Sequence, residues 1–280
     1  SDRRPVVSDY SDLELEIRDP VALIRLDRPD KLNAFTHRTL REIRDAVERA
    51  RDDRRVVGIV ITGNGRGFSA GLDVEVLAET TQQQPAAATT AAAAPDPGAL
   101  PGLFSYLLEV PKPVIAAVNG VAAGGGLILA LMCDRRFAAS DASFITVFLK
   151  RGLIAEHGSS WLLPRLTNVS TALDLLWMSE RIGADDAATI GLVDRVTEPE
   201  ALVATACDYV TRLAATAPPA AIAETKRLVY RHLGTGYREA LEEAEQSQNR
   251  FVVAPDAVEG ARAFMEKRAP RFARLGKEES

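Results

Sequence analysis

Cysteine is scarce in this 280-residue chain: Cys133 and Cys207 are the only two, too few for a disulfide framework or a cysteine metal centre. Histidine is nearly as rare, and the three present lie too far apart in sequence for a metal-ligand spacing. No apolar run is both long and unbroken. Residues 114–133 carry no charged side chain, yet Asn119-Gly120 and Gly124-Gly125-Gly126 interrupt them, which does not suit a lipid-facing helix. There is no excess of positive charge either. The formal net charge of −5 argues against a nucleic-acid surface, so any phosphate-bearing ligand has to be met by a local group of Lys and Arg. The polar start Ser-Asp-Arg-Arg-Pro is followed by no apolar segment, so no signal peptide is read and the expected location is cytoplasmic.

What is present is patterned. Residues 13–18 and 21–26 alternate apolar and polar around Asp19-Pro20, predicting a hairpin. Thr36 is placed to cap a helix to about residue 52, with Leu40, Ile43, Val47 and Ala50 on one face. Residues 57–62 and 114–118 read as buried strands, 127–133 as an apolar helix, and 134–139 and 143–146 as further strands. A short helix is expected near Asp73. Helical patterns follow at 160–166, 170–179 and 184–190, then a strand at 193–196 and four amphipathic helices from 200 onward. Residues 81–99, built of Gln, Ala, Thr and Pro, have no amphipathic face and read as a surface insertion, placed between two candidate site loops where a lid would sit. The sum is an α/β core with a helical appendage.

Two loops stand out: Phe68-Ser69-Ala70-Gly71-Leu72-Asp73, and Asn119-Gly120 running into Gly124-Gly125-Gly126. Each follows an apolar strand and precedes a helix. Glycines at a helix start permit close backbone approach and leave unpaired N–H groups pointing outward. Two such donors converging on one oxygen stabilise a developing negative charge. Gly63-Asn64-Gly65-Arg66-Gly67 lacks the spacing of a dinucleotide loop, and no Lys-Ser/Thr follows the glycine tract as in a nucleotide-phosphate loop.

Arg28-Pro29 with Lys31-Leu32-Asn33-Ala34, the FSAGLD loop, and PKPVIAAVNGVAAGGG followed by Cys133-Asp134 together resemble the crotonase superfamily, the enoyl-CoA hydratase/isomerase family. The likeness runs from about residue 13 to Phe272 and breaks at the 81–99 insertion. It implies a crotonase-like spiral of ββα repeats over residues 1–200 and a helical trimerisation region over 201–280, giving a homotrimer or a dimer of trimers. It implies an acyl-CoA substrate, with coenzyme A as part of that substrate and no separate cofactor, metal, nucleic acid or membrane. By the same likeness Leu72 and Gly125 donate to the thioester carbonyl. Arg28 and Lys31 meet the CoA phosphates, with Lys267 and Arg268 reaching from a neighbouring subunit. Leu32, Ala34, Ala70, Asp73, Gly124 and Phe264 line the ligand cleft; Asp73 and Asp134 also read as structural acids paired with backbone or nearby arginines.

The family pattern breaks at its two hydratase glutamates. Those positions are Ile128 and Phe148 here, and neither side chain holds water or moves a proton. A different acid is available: Glu156 in Ala155-Glu156-His157-Gly158-Ser159-Ser160-Trp161 resembles the base-bearing segment of delta-3,delta-2-enoyl-CoA isomerases. One carboxylate suffices to shift a double bond, and apolar neighbours such as Ile128, Phe148 and Trp161 sharpen its basicity. Against this stands the plainer reading that Glu156 caps the helix opening near Ser160. His157 reads as a surface group or a tuner of Glu156. Three functions stay open: a double-bond isomerase with Glu156 as base, a hydratase in which Glu156 alone activates water, and a non-catalytic acyl-CoA binder.

Overall fold

A computed structural model describes residues 6–7, 10–73, 76, 78 and 100–277. The 81–99 insertion lies outside the described residues, as does most of the helix expected near Asp73. In β2 (Leu13–Arg18) every second residue is buried, as the alternation predicts, and β3 (Val21–Leu26) pairs with it antiparallel. The pairing then becomes parallel through β4 (Gly58–Gly63), β6 (Val114–Val118), β8 (Arg135–Ala139) and β11 (Arg195–Thr197). With β1 (Val6–Val7) on the far edge, the order of this seven-stranded sheet is β1-β2-β3-β4-β6-β8-β11. β4 and β6 are buried at every residue, the mark of strands covered on both faces.

A second, four-stranded sheet runs β10-β9-β7-β5, from β5 (Gly67–Ser69), β7 (Val121–Ala123), β9 (Ser143–Ile145) and β10 (Ile182–Gly183). The sequence reading assigned 63–71 to a loop and saw no strand at 121–123. Three residues are too few to show a two-residue period, and these strands exist because they pair with each other and with β9. The chain therefore visits the large sheet and then the small one in each winding, β4 to β5, β6 to β7, β8 to β9. That is the ββα spiral.

The helices cover both sheets. Thr36 caps α1 (His37–Asp52) with a reciprocal capping box to Thr39, and Ile43, Ala46, Val47 and Ala50 are buried beneath it. α2 (Gly125–Met132) is buried throughout. It begins two residues before the expected 127, because the glycines themselves enter the helix: a methyl on Gly126 would meet Ser69 O at 2.1 Å. α3 (Ser159–Leu166), α4 (Val169–Met178) and α5 (Ala184–Thr189) follow. α6 (Leu202–Thr216) lies beyond residue 200 yet packs on the large sheet, with Val210 pressed against Gly58. α7 (Pro219–His232), α8 (Tyr237–Phe251) and α9 (Pro255–Met265) complete the chain. Among the described residues no helix is long and apolar enough to cross a membrane.

Candidate active site

The FSAGLD loop is held along residues 32–35 by a ladder of backbone bonds. Ala70 N–H donates to Leu32 O at 2.9 Å, Phe35 N–H to Gly71 O at 2.7 Å, and Asp73 N–H to Phe35 O at 2.9 Å. Ser69 Oγ ties the same segment to Asn33 O and accepts from Gly71 N–H. This ladder turns Leu72 N–H the other way, and it has no acceptor among the described residues. Gly71, at φ +88°, packs on the glycine tract: a methyl there would lie 2.7 Å from Ala123 O and 2.9 Å from Gly125 N. A methyl on Gly125 would in turn lie 3.6 Å from Leu72 N. Gly124, at φ +50°, ends the small-sheet strand by donating to Ile145 O, and Gly125 opens α2, where the first amides lack intrahelical acceptors. The amides of Leu72 and Gly125 are thus neighbours at the N-terminus of a wholly buried, uncharged helix, whose dipole favours negative charge there.

The residues in front of this turn are knitted together. Asn33 is buried at φ +54°, accepts from Arg28 N–H at 2.8 Å, and donates to Asn64 O and Gly67 O. Arg28 reaches Asp73 at 3.1 Å and donates to Ala34 O, so its guanidinium is already engaged within the chain. Lys31 is exposed and joins no ion pair among the described residues, whereas Leu32, at φ +48°, is half-buried.

Ile128 and Phe148 are both buried. Glu156 is half-buried, and its carboxylate has no hydrogen-bond or ion-pair partner among the described residues. It does not cap α3: the N-cap is Gly158, without a side-chain bond, while the Glu156 carbonyl accepts from Ser159 N–H and Oγ–H. The turn is tight, with His157 at φ +50° and Gly158 at φ +82°. It seats against α2, since a methyl on Gly158 would lie 3.2 Å from Met132 Cε. Met132 is the last residue of α2. His157 is half-buried, and burial pushes its imidazole below the ordinary value despite the nearby Glu156.

Beside this turn is a cavity of about 1580 Å³, walled by His157, Gly158 and Trp161 on one side and by the inner face of α7 on another. Trp161 is 36% exposed, with the Arg165 guanidinium 4.1 Å from its ring centre. The structure does not bring the C-terminal candidates here within this chain. Phe264 is 85% exposed on α9, Lys267 is exposed just beyond it, and Arg268 is paired with Glu259 and Glu266. Asp134 is paired as expected for a structural acid, but not with an arginine. Lys226 Nζ lies 2.8 Å and Tyr230 Oη 2.9 Å from it, and it accepts from Val114 N–H. Sequence reading missed α7 as a wall of the site; the i, i+4 pair Lys226/Tyr230 on one face was the available signal. Among the described residues no group of three or more His, Cys, Asp or Glu is placed to hold a metal ion.

The family model for enoyl-CoA hydratase/isomerase matches residues 16–275. The chain is 34% identical over 265 residues to a crotonyl-CoA hydratase of Syntrophomonas wolfei, covering 94% of this chain and 98% of that one. It is 32% identical over 258 residues to the 1,2-epoxyphenylacetyl-CoA isomerase of Escherichia coli, covering 90% and 94%. Among solved structures, an enoyl-CoA hydratase subunit I from Geobacillus kaustophilus superposes with a TM-score of 0.83 at 33% identity, covering 96% of this chain and all of that one.

Proposed function

Because the chain belongs to the enoyl-CoA hydratase/isomerase family and is an enzyme of the crotonase type, we propose that it moves a carbon–carbon double bond in an acyl-CoA thioester through an enolate. Leu72 and Gly125 N–H hold the thioester oxygen. The Glu156 carboxylate takes a proton from C2 of a 3-enoyl-CoA, and the electron pair moves onto that oxygen to give a dienolate. The same carboxyl returns the proton to C4, the 2-enoyl-CoA leaves, and no co-reactant is consumed. Fixed donors in a buried site act most strongly where charge develops, each being worth roughly 10²–10³ in rate.

The observation that carries this reading is the combination at α2: two abutting, unpaired amides at its start, apolar Ile128 and Phe148, and an unpaired Glu156 on the turn that seats against it. Arg28, Lys31 and the surrounding residues 32–34, 70 and 73 form the approach for the nucleotide end of CoA, with Lys267 supplied by a neighbouring subunit. The test is Glu156→Gln. Conversion of 3-enoyl- to 2-enoyl-CoA and exchange of C2 hydrogen into deuterated water should both fall by about 10³-fold or more. Retention of either activity at the original rate would remove Glu156 as the base.

A second reading is favoured by the hydratase among the relatives. In it Glu156 alone activates water for addition to a 2-enoyl-CoA. That reading requires hydration of crotonyl-CoA, lost with the same substitution.

A further inference from the structure

We infer that Val147 is a positioning residue for the proposed oxyanion site: its left-handed backbone sets the side chain against Gly124 and so steadies the peptide that presents Gly125 N–H. The inference rests on the proposed role of Leu72 and Gly125, and it names a residue outside the two loops that carry them.

The backbone supplies the first observation. Val147 lies at φ +60°. Its branched β-carbon crowds the flanking peptides, so a conformation that Gly or Asn tolerates is an outlier for valine. The other non-glycine residues at positive φ among those described are Leu32, Asn33, His157, Ser179 and Lys267, and none is branched at that carbon. Strain of this kind persists where the surroundings over-determine it, and it gathers at functional sites. Residue 147 is pinned from both sides. Before it, the buried Thr146 hydroxyl lies 2.8 Å from Leu175 O and 2.8 Å from Ser179 Oγ. After it, the carbonyl of buried Phe148 accepts from Arg151 N–H at 2.9 Å and Leu153 N–H at 3.1 Å.

The contact is the second observation. A methyl built on Gly124 would lie 3.0 Å from Val147 Cγ2 and 3.9 Å from Thr146 O. The valine therefore closes the side of Gly124 that a side chain would occupy. Gly124 sits at φ +50°, ψ −117°, a region open to glycine, which has no side chain of its own to hold it there. Its N–H donates to Ile145 O at 3.0 Å and its carbonyl accepts from Ile128 N–H at 3.0 Å. The peptide between Gly124 and Gly125 carries the proposed donor and turns about Gly124, the residue on which Val147 bears. Asn would adopt the same backbone with less strain but bring no methyl to Gly124. Thr would keep both the branch and the methyl.

The experiment compares Val147→Asn and Val147→Thr with the parent protein. It reads exchange of C2 hydrogen at saturating 3-enoyl-CoA, calorimetric affinity for butyryl-CoA, and the thermal midpoint. In Val147→Asn exchange should fall about tenfold or more, part of what a lost donor costs. Butyryl-CoA affinity should change by less than about threefold, because the donors act chiefly where charge develops. The thermal midpoint should hold or rise as strain is released. Val147→Thr should exchange within about threefold of the parent. Parent-rate exchange in Val147→Asn overturns the inference. So does a midpoint or an affinity that falls along with the rate, since a plain packing residue behaves that way, and so does a Thr variant as slow as Asn. Gly71→Ala separates the two claims. A parent without exchange, or exchange that survives Gly71→Ala, overturns the oxyanion reading and this inference with it; exchange lost in Gly71→Ala but kept in Val147→Asn removes Val147 alone.

Discussion

Gly71 bears directly on the proposed chemistry. Its φ of +88° is a conformation L side chains rarely adopt, and an added methyl would press on Ala123 O and Gly125 N, both in the facing loop. Gly71→Ala is therefore expected to force the two proposed donors apart while the buried sheets persist. C2 exchange should fall about 10²-fold or more, and thermal stability by only about 1–3 kcal/mol. Exchange at the original rate in this variant would show that Leu72 N–H does not hold the thioester oxygen. The glycines were legible in the sequence because only a turn with positive φ or a close backbone contact explains them at a strand end. His157 was not. A left-handed φ on a histidine leaves no mark in composition or spacing, and its burial comes from the wall that α2 and residues 100–105 build around it.

Elements with a full period or a cap were readable: the hairpin of β2 and β3, α1 behind Thr36, and the amphipathic α7 to α9 match their expected spans closely. Elements defined by their partners were not. β5 and β7 are short strands created by pairing with each other and, for β7, with β9, and α7 is fixed by Lys226 on Asp134, ninety-two residues away in sequence. α7 is also clamped to α8 through Glu224, which takes hydrogen bonds from Arg227, Ser247 and Arg250, and through Glu243, bound by Arg227 and Arg231. The Arg227 guanidinium, helped by Ser247, holds the Glu224 carboxyl down at about 2 against an ordinary 4.5. A depressed acid favours the fold while it is ionised. Its contribution is complete above about 4.5 and disappears as pH falls through about 2. Glu224→Gln should therefore reduce urea stability at pH 7 and flatten its decline between those limits. An acid limb identical to that of the parent protein would show that the clamp contributes nothing.

For the whole molecule, the C-terminal helices leave Tyr237, Val253, Phe264 and Met265 each at least 75% exposed. The trimer or paired trimers that the family likeness implies are expected to cover such side chains. Sedimentation equilibrium is expected to return a multiple of three chains, and Phe264→Asp to weaken association by about tenfold or more. A parent protein that sediments as a single chain would refute this, along with the delivery of Lys267 from a neighbour. The winding of the chain has an evolutionary corollary. Spacing between the two amide-bearing loops is dictated by the β5–β7 rungs, Gly67 opposite Val121 and Ser69 opposite Ala122, whereas residues 74–99 belong to neither rung and connect one coil to the next. Such a bridge tolerates growth at small entropic cost and leaves those rungs in register. Selection is thereby free to remodel which thioesters are admitted without disturbing the geometry that would activate them.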